Sequence, residues 1–159
     1  MAKPKRKNYK DGTRTIENRR ARHDYFIGDE LEVGIKLVGT EVKSVRDGNV
    51  SLKEGYISVD NDELTLHNVN IGEYPPAGQI QHPLTRRRRL LAHKREIKRL
   101  ARQVDQKGVT LIPLKLYFKD GFAKILLGVG TGKAQHDKRQ SIKEREIDRD
   151  LRRAMSKRV

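Results

Sequence analysis

Glu30-Leu31-Glu32-Val33-Gly34-Ile35-Lys36-Leu37 puts Leu31, Val33, Ile35 and Leu37 on one face of an extended chain. Glu30, Glu32, Gly34 and Lys36 fall on the other. Period-two alternation of this kind marks a strand with one buried face, here within residues 24–38. Gly39-Thr40 breaks the pattern, Thr40 can cap a short helix through Arg46, and Asp47-Gly48-Asn49 ends it. Downstream, Tyr56 to Val59 and Glu63 to Ile71 read as strands joined by the turn Asp60-Asn61-Asp62. The consecutive prolines of Tyr74-Pro75-Pro76-Ala77-Gly78 suit neither a helix nor a central strand.

From Thr85, a plausible N-cap, to about Val104 the period becomes helical, with Leu90, Ile97, Leu100, Ala101 and Val104 on one side. After Gly108 the pattern returns to strand, Val109 to Phe118, and Lys119-Asp120-Gly121 turns it into a last strand, Phe122 to Val129. The expected fold is therefore mainly β with helices: a closed antiparallel barrel of the oligonucleotide-binding type with flanking helices. It divides into a basic arm (1–22), the barrel (23–130) with its helix at about 85–104, and a basic tail (131–159). The tail sets Ile147, Leu151, Ala154 and Met155 at helical spacing. Its apolar face is too small to fold alone, so it is expected to be disordered until a partner supplies the rest.

Charge follows these divisions. The chain of 159 residues carries 36 Lys+Arg against 21 Asp+Glu, a net of +15. Residues 1–22 contribute +7, residues 86–102 contribute +8 and residues 131–159 contribute +5, while the remainder is net −5. Merely solubilising charge has no reason to be segregated in this way. A surface that binds a polyanion does, because each phosphate neutralised by Lys or Arg releases condensed counterions. Cysteine is absent, which excludes disulfides and thiolate metal sites and fits a reducing cytosol. No apolar run approaches the ~18 residues of a membrane span, and the N-terminus lacks the apolar stretch of a signal peptide.

Motifs for catalysis fail on spacing. Gly128-Val129-Gly130-Thr131-Gly132-Lys133 suggests a phosphate loop, but three residues separate Gly128 from Gly132 and Ala134 follows the lysine where a hydroxyl is required. His23, His67, His82, His93 and His136 are scattered, without metal-ligand spacing. No cofactor or metal is expected. The run Arg86-Arg87-Arg88-Arg89 opens the expected helix where the macrodipole disfavours cations, and an external anion such as RNA would offset that. Glu32, outward on the first strand, can accept hydrogen bonds from base or ribose edges. Leu91 has two readings: an exposed group packing on an unstacked base, or a buried helix residue beside Leu90.

Four strings occur in order: Asn18-Arg19-Arg20-Ala21-Arg22-His23-Asp24-Tyr25-Phe26-Ile27, Gly39-Thr40-Glu41-Val42-Lys43-Ser44-Val45-Arg46, Arg86 to Leu91, and Gly132-Lys133-Ala134-Gln135-His136-Asp137-Lys138-Arg139. In these the chain resembles the SmpB family, the protein partner of transfer-messenger RNA in bacterial ribosome rescue, over nearly its whole length. The resemblance implies a non-catalytic cytoplasmic adaptor, one copy per RNA. Its barrel would grip the tRNA-like domain through Asn18, Glu32, Leu91 and Lys124, with Arg20, Arg22, Lys43, Arg46 and Arg86 to Arg89 nearby. Its tail would fold as a helix in the empty mRNA channel of a stalled ribosome. There Gly132, Lys133, His136, Asp137, Lys138 and Arg139 would sit at the decoding centre, with Ile147 and Leu151 on the helix beyond. Delivery with elongation factor Tu is implied as well. Ala134 replaces the second lysine common in the family, and Ser51 and Glu54 stand where Asn and Asp are usual. Two rival readings are a basic structural protein of the ribosome or chromatin, and a small RNA-processing enzyme using His23 or His136.

Overall fold

A computed structural model describes residues 14–157, apart from the side chains of Gln135 and His136. Most of the expected basic arm, residues 1–13, lies outside the described residues.

The alternating run forms β2 (Tyr25–Ile35), with Val33 and Ile35 buried in the core and Leu31 and Leu37 packed against it. It follows β1 (Ile16–Glu17) and α1 (Arg19–Asp24), two short elements with no periodic signal in the sequence. Then come α2 (Gly39–Arg46), β3 (Val50–Ser51), β4 (Tyr56–Asp60), β5 (Glu63–His67) and β6 (Asn70–Ile71). Thr40 does not cap α2: the N-cap is Val38, and Thr40 Oγ1 lies 2.8 Å from His82 Nδ1 instead. Asn61 and Asp62 turn β4 into β5 with φ of 49° and 59°, the left-handed pair that a two-residue hairpin requires. The single strand expected over 63–71 is interrupted, because Asn68 takes φ 56°; β6 beyond it pairs with β3.

The larger departure is at residues 85–104. Arg88–Leu91 is not helix but a strand, β7, hydrogen-bonded between β5 and β2. Helix α3 starts only at Lys94 and runs to Val104, with His93 as N-cap and Glu96 accepting from the His93 amide at 3.1 Å. Leu90 therefore fills the core from a strand, while Ile97 and Leu100 do so from the helix. Thr85 caps nothing.

β8 (Val109–Lys119) and β9 (Phe122–Gly132) form a long hairpin about Asp120 and Gly121, at φ 52° and 80°. The antiparallel pairings run β8–β4–β5–β7–β2–β9 and return to β8, so six strands are linked in a ring. Its interior holds the main core, including Leu64, Leu66, Leu111, Leu116, Ile125 and Leu127, with α2 and α3 adding Val45, Ile97 and Leu100. Outside the ring, Ala21 of α1 covers Ile112 and Leu114 as a second, smaller core. Gly128 and Gly130 make that cover possible: a Cβ on either would come within 2.8 Å of Leu114 Cδ1 or 2.5 Å of Ile112 Cδ1. The glycine-rich string is thus a packed strand. The architecture is mixed, β-sheet with helices on its outside.

β9 carries the sheet two residues past the expected exit at Gly130. In the tail, expected to be disordered alone and helical on a partner, α4 (Gln135–Ser156) is a 22-residue helix. Its first turns lie against α1, and Ile147, Leu151 and Met155 are exposed. No helix among the described residues is long and apolar enough to cross a membrane.

Candidate nucleic-acid interface

The four arginines at 86–89 have different fates, because a strand sends alternate side chains to opposite faces. Arg88 points inward and is 0% exposed. Its Nε donates to Glu41 Oε2 at 3.1 Å, and its two terminal nitrogens donate to the carbonyls of Val69, Arg86 and Leu84 at 2.8, 2.9 and 3.2 Å. Arg86, half-buried, donates to both oxygens of the same carboxylate at 2.8 and 3.1 Å. Burial would raise the Glu41 pKa, but the two guanidiniums outweigh it and the carboxyl titrates below its ordinary range. This ion triad ties α2, β7 and the loop before β7 together. Arg88, expected among the RNA contacts, is held inside the fold by these bonds. Arg87 and Arg89 are exposed, and Arg89 pairs with Glu63 at 2.7 Å on the outer surface.

Asn18 is likewise held within the fold. It is 5% exposed, caps α1 by accepting from the Ala21 amide at 3.2 Å, and donates to the Leu52 and Pro113 carbonyls at 3.1 and 2.9 Å. Its work is to fix α1 on the sheet.

Strand register does assemble three other expected residues. Gly34 lies opposite Leu91 on β7 and opposite Lys124 on β9, and Lys124 lies opposite Tyr117 on β8. Leu91, Gly34, Lys124 and Tyr117 form one outward-facing row, and Glu32, two residues before Gly34, projects on the same face. Leu91 is 54% exposed and is neither buried nor helical. Gly34 keeps the row flat beneath it, since a Cβ there would sit 3.3 Å from Leu91 Cβ. The Tyr117 hydroxyl donates to Glu32 Oε2, and Lys119 Nζ lies 3.5 Å from Oε1. Tyr117's donation, with the charges of Lys119 and Lys124, holds the Glu32 carboxyl below its usual pKa despite partial burial. Burial and the same carboxylate push Tyr117 up to about 12. A carboxylate has capacity for about four hydrogen bonds, so Glu32 can still accept from a ligand. Tyr117 was missed from the sequence, yet counting back from the Asp120-Gly121 turn puts it opposite Lys124.

Arg46 lies over the ring of Phe118, itself packed against the core, at 5.4 Å, and Lys43 lies over Tyr74 at 5.1 Å. Aliphatic, aromatic, anionic and cationic groups thus share one surface. It can stack on a base, accept a hydrogen bond and neutralise phosphate.

The other predicted residues gather at the junction of α1 with α4. Arg20 reaches Asp24 at 3.1 Å and Glu54 at 2.8 Å, and Arg22 reaches Glu30 at 3.1 Å. Gly132 ends β9. Lys133 donates to the Arg22 carbonyl at 3.0 Å and to Ser141 Oγ at 2.9 Å, and lies 4.8 Å over the Phe26 ring. Arg145 donates to the same Arg22 carbonyl at 2.7 Å. Lys138 sits 3.5 Å from Asp24. The His23 ring, then Lys138 and Arg20, hold Asp24 below its ordinary pKa against the effect of burial. Asp137 is half-buried in the first turn of α4, where its charge suits the helix dipole, and Arg139 is exposed. The His136 side chain lies outside the described residues. Ile147 and Leu151 form an exposed apolar stripe four residues apart. Among the described residues no group of three or more His, Asp or Glu is placed to hold a metal ion.

Comparison with known proteins gives a consistent result. A family model described as SmpB protein matches residues 15–157. The SsrA-binding protein of Lactobacillus delbrueckii subsp. bulgaricus is 52% identical over 144 residues, covering 91% of this chain and 94% of the relative. That of Levilactobacillus brevis is 48% identical over 155 residues, covering 98% of each. A solved structure described as "tmRNA-SmpB: a journey to the center of the bacterial ribosome" superposes with a TM-score of 0.67 at 44% identity, covering 80% of this chain and 94% of the other.

Proposed function

This chain belongs to the SmpB family, and on that premise we propose that it is an RNA-binding adaptor for ribosome rescue by trans-translation. It binds the tRNA-like domain of transfer-messenger RNA and delivers it to ribosomes stalled without a codon, so that the nascent peptide is tagged for degradation. The observation that carries the reading is the outward row of Leu91, Gly34, Lys124 and Tyr117 with Glu32 beside it. In this reading the six-stranded ring serves as an oligonucleotide-binding barrel, and that row is its grip on the tRNA elbow. Leu91 packs on an unstacked base, Glu32 accepts from a base or ribose edge, and Lys124, Arg46, Arg87 and Arg89 meet phosphates. Arg86 and Arg88 support β7 from within through Glu41, while Asn18 fixes α1 on the sheet.

Helix α4 is then the probe for a second RNA. Its cations run along a helix with an exposed Ile147–Leu151–Met155 stripe, a form suited to the vacant mRNA channel. Gly132, Lys133, His136, Asp137, Lys138 and Arg139 occupy the junction that would meet the decoding centre. The chain itself supplies positioning rather than chemistry; the partner RNA supplies the alanyl acceptor and the template. The reading places it in the cytoplasm, one copy per RNA, with elongation factor Tu in the delivery complex.

A gel-shift comparison of transfer-messenger RNA with bulk tRNA across salt concentrations tests this. A preference for transfer-messenger RNA that persists as salt rises supports it. Equal affinities that collapse together would leave only a counterion effect and a basic structural protein.

A further inference from the structure

We propose that the groove between α1 and β4 is a second RNA contact, separate from the Glu32–Leu91–Lys124 row, which takes an unstacked nucleobase on the open face of Tyr56. The groove has a volume of about 360 Å³, and Arg20, Asp24, Lys53, Glu54 and Tyr56 are among its lining residues. Around the ring, β4 and β5 are separated from β2 and β9 by β7 on one side and β8 on the other. Tyr56 and His67 thus lie on β4 and β5, strands other than the four (β7, β2, β9 and β8) that carry the row.

Three features make this a built site rather than a stray aromatic. Tyr56 is 43% exposed although it is large and amphipathic. Its ring is stacked on His67 of β5, with centroids 4.8 Å apart and planes within 8°. His67 is fixed in turn: its Nε2 lies 2.8 Å from Ser58 Oγ. A cross-strand aromatic pair stabilises a hairpin wherever it occurs, and the β4–β5 pairing needs no more than that. What the hairpin does not require is that the same tyrosine also line a groove. Burial and the nearby Arg87 lower the His67 pKa, so the ring behind Tyr56 is uncharged at neutral pH.

The charges of the groove select the ligand. Arg20 is held by Asp24 and Glu54, so these three bring no net positive field; Lys53 is the added cation. A site meant for bare phosphate would gather cations and exclude carboxylates. This one offers a preorganised ring for stacking, donors and acceptors around it for a base edge, and one lysine for the adjoining phosphate. That is the combination by which proteins hold splayed-out bases of RNA.

The test uses the full chain and three probes: a fluorescein-labelled single-stranded RNA hexamer, transfer-messenger RNA, and purified small ribosomal subunits. Tyr56→Ala should weaken hexamer binding about tenfold, while Tyr56→Phe, which keeps the ring, should stay within about twofold of the parent. His67→Ala should fall between them. The other probes identify the source of the base: a loss confined to transfer-messenger RNA assigns it there, and one confined to the subunit assigns it to ribosomal RNA. Unchanged hexamer affinity in Tyr56→Ala, or equal loss in Tyr56→Phe, overturns the proposal. The wild-type preference for transfer-messenger RNA over tRNA is read separately, so failure of the adaptor reading would show there and not in the variant ratios.

Discussion

β7 and α4 are both rich in arginine, and they use it in opposite ways. In β7 the strand period sends Arg88 inward, where Glu41 and three carbonyls take up its hydrogen bonds, and leaves Arg89 outside. In α4 the cations have no such interior. Among the described residues the helix meets the body through Lys138 and Arg145, with Lys133 just ahead of it, and from Ile142 to the end of the helix every described residue is exposed. Positive charge in a sequence thus has no fixed meaning. A strand between two neighbours must find an internal partner for half its side chains, whereas a lone helix presents nearly all of them. The first use is structural; the second is available to a partner.

The contrast is broken most directly at Glu41. Glu41→Ala leaves Arg88 buried without its counter-charge, which typically costs about 3–5 kcal/mol. Urea and thermal unfolding should show that loss, with a fall in Tm on the order of 10 °C. A Glu41→Leu, Arg88→Met double variant should recover much of it, because an apolar pair of similar volume avoids the desolvation cost of both charges. A loss below about 1 kcal/mol in Glu41→Ala would mean that Arg88 reaches water and that the run is not divided as described.

One position along, the result should invert. Arg89→Ala should change stability by no more than about 1 kcal/mol, since the Arg89–Glu63 pair is exposed on both sides. It should instead lower the slope of log affinity for transfer-messenger RNA against log salt by about 1. Neighbouring arginines with opposite phenotypes would be hard to explain by a uniformly solvated charge run.

How far these roles were readable follows from what sets each element. The strand β2 was legible because its burial pattern is local: every second residue from Leu31 faces the core. The two hairpin turns were legible because Asn61-Asp62 and Asp120-Gly121 carry their own backbone preference. β7 was not, because Arg88–Leu91 becomes a strand through the β5 and β2 edges that receive it, and both lie far away in sequence. Leu90 matched the helical period of Ile97 and Leu100 by coincidence of spacing, and the cost of burying Arg88 was met by Glu41, 47 residues away. The same holds for the site. Glu32 could be placed on an outer face, but its company of Leu91, Lys124 and Tyr117 depends on register between strands. Asn18, polar and near basic residues, gave no local sign that its amide spans to Leu52 and Pro113.

Removal of α4 sharpens the comparison from the other side. A chain ending at Lys133 should lose less than about 1 kcal/mol of stability, because from Ile142 onward the helix buries no side chain. It should bind the tRNA-like domain within about threefold of the full chain while losing peptide tagging on stalled ribosomes. Lost affinity for the tRNA-like domain would show that ring and tail do not divide the two RNAs.

The smallest effect concerns the seam where the two regions meet. Asp24 holds Lys138 at 3.5 Å, and its pKa lies below the ordinary carboxylate value of 3.8 because the His23 ring, Lys138 and Arg20 favour the charged form. A group whose folded-state pKa is depressed stabilises its contacts above the unfolded value, and that contribution disappears as pH falls through the folded one. The seam should therefore be intact at neutral pH and begin to weaken below about pH 4. Amide exchange at the start of α4 should speed up there without a change in β2 or β9, and Asp24→Asn should show the faster exchange already at pH 7. The magnitude is small because these groups are partly solvated. The direction matters more: a seam loosened by one carboxylate can release the tail while the ring, whose Glu41–Arg88 pair is fully buried, stays folded.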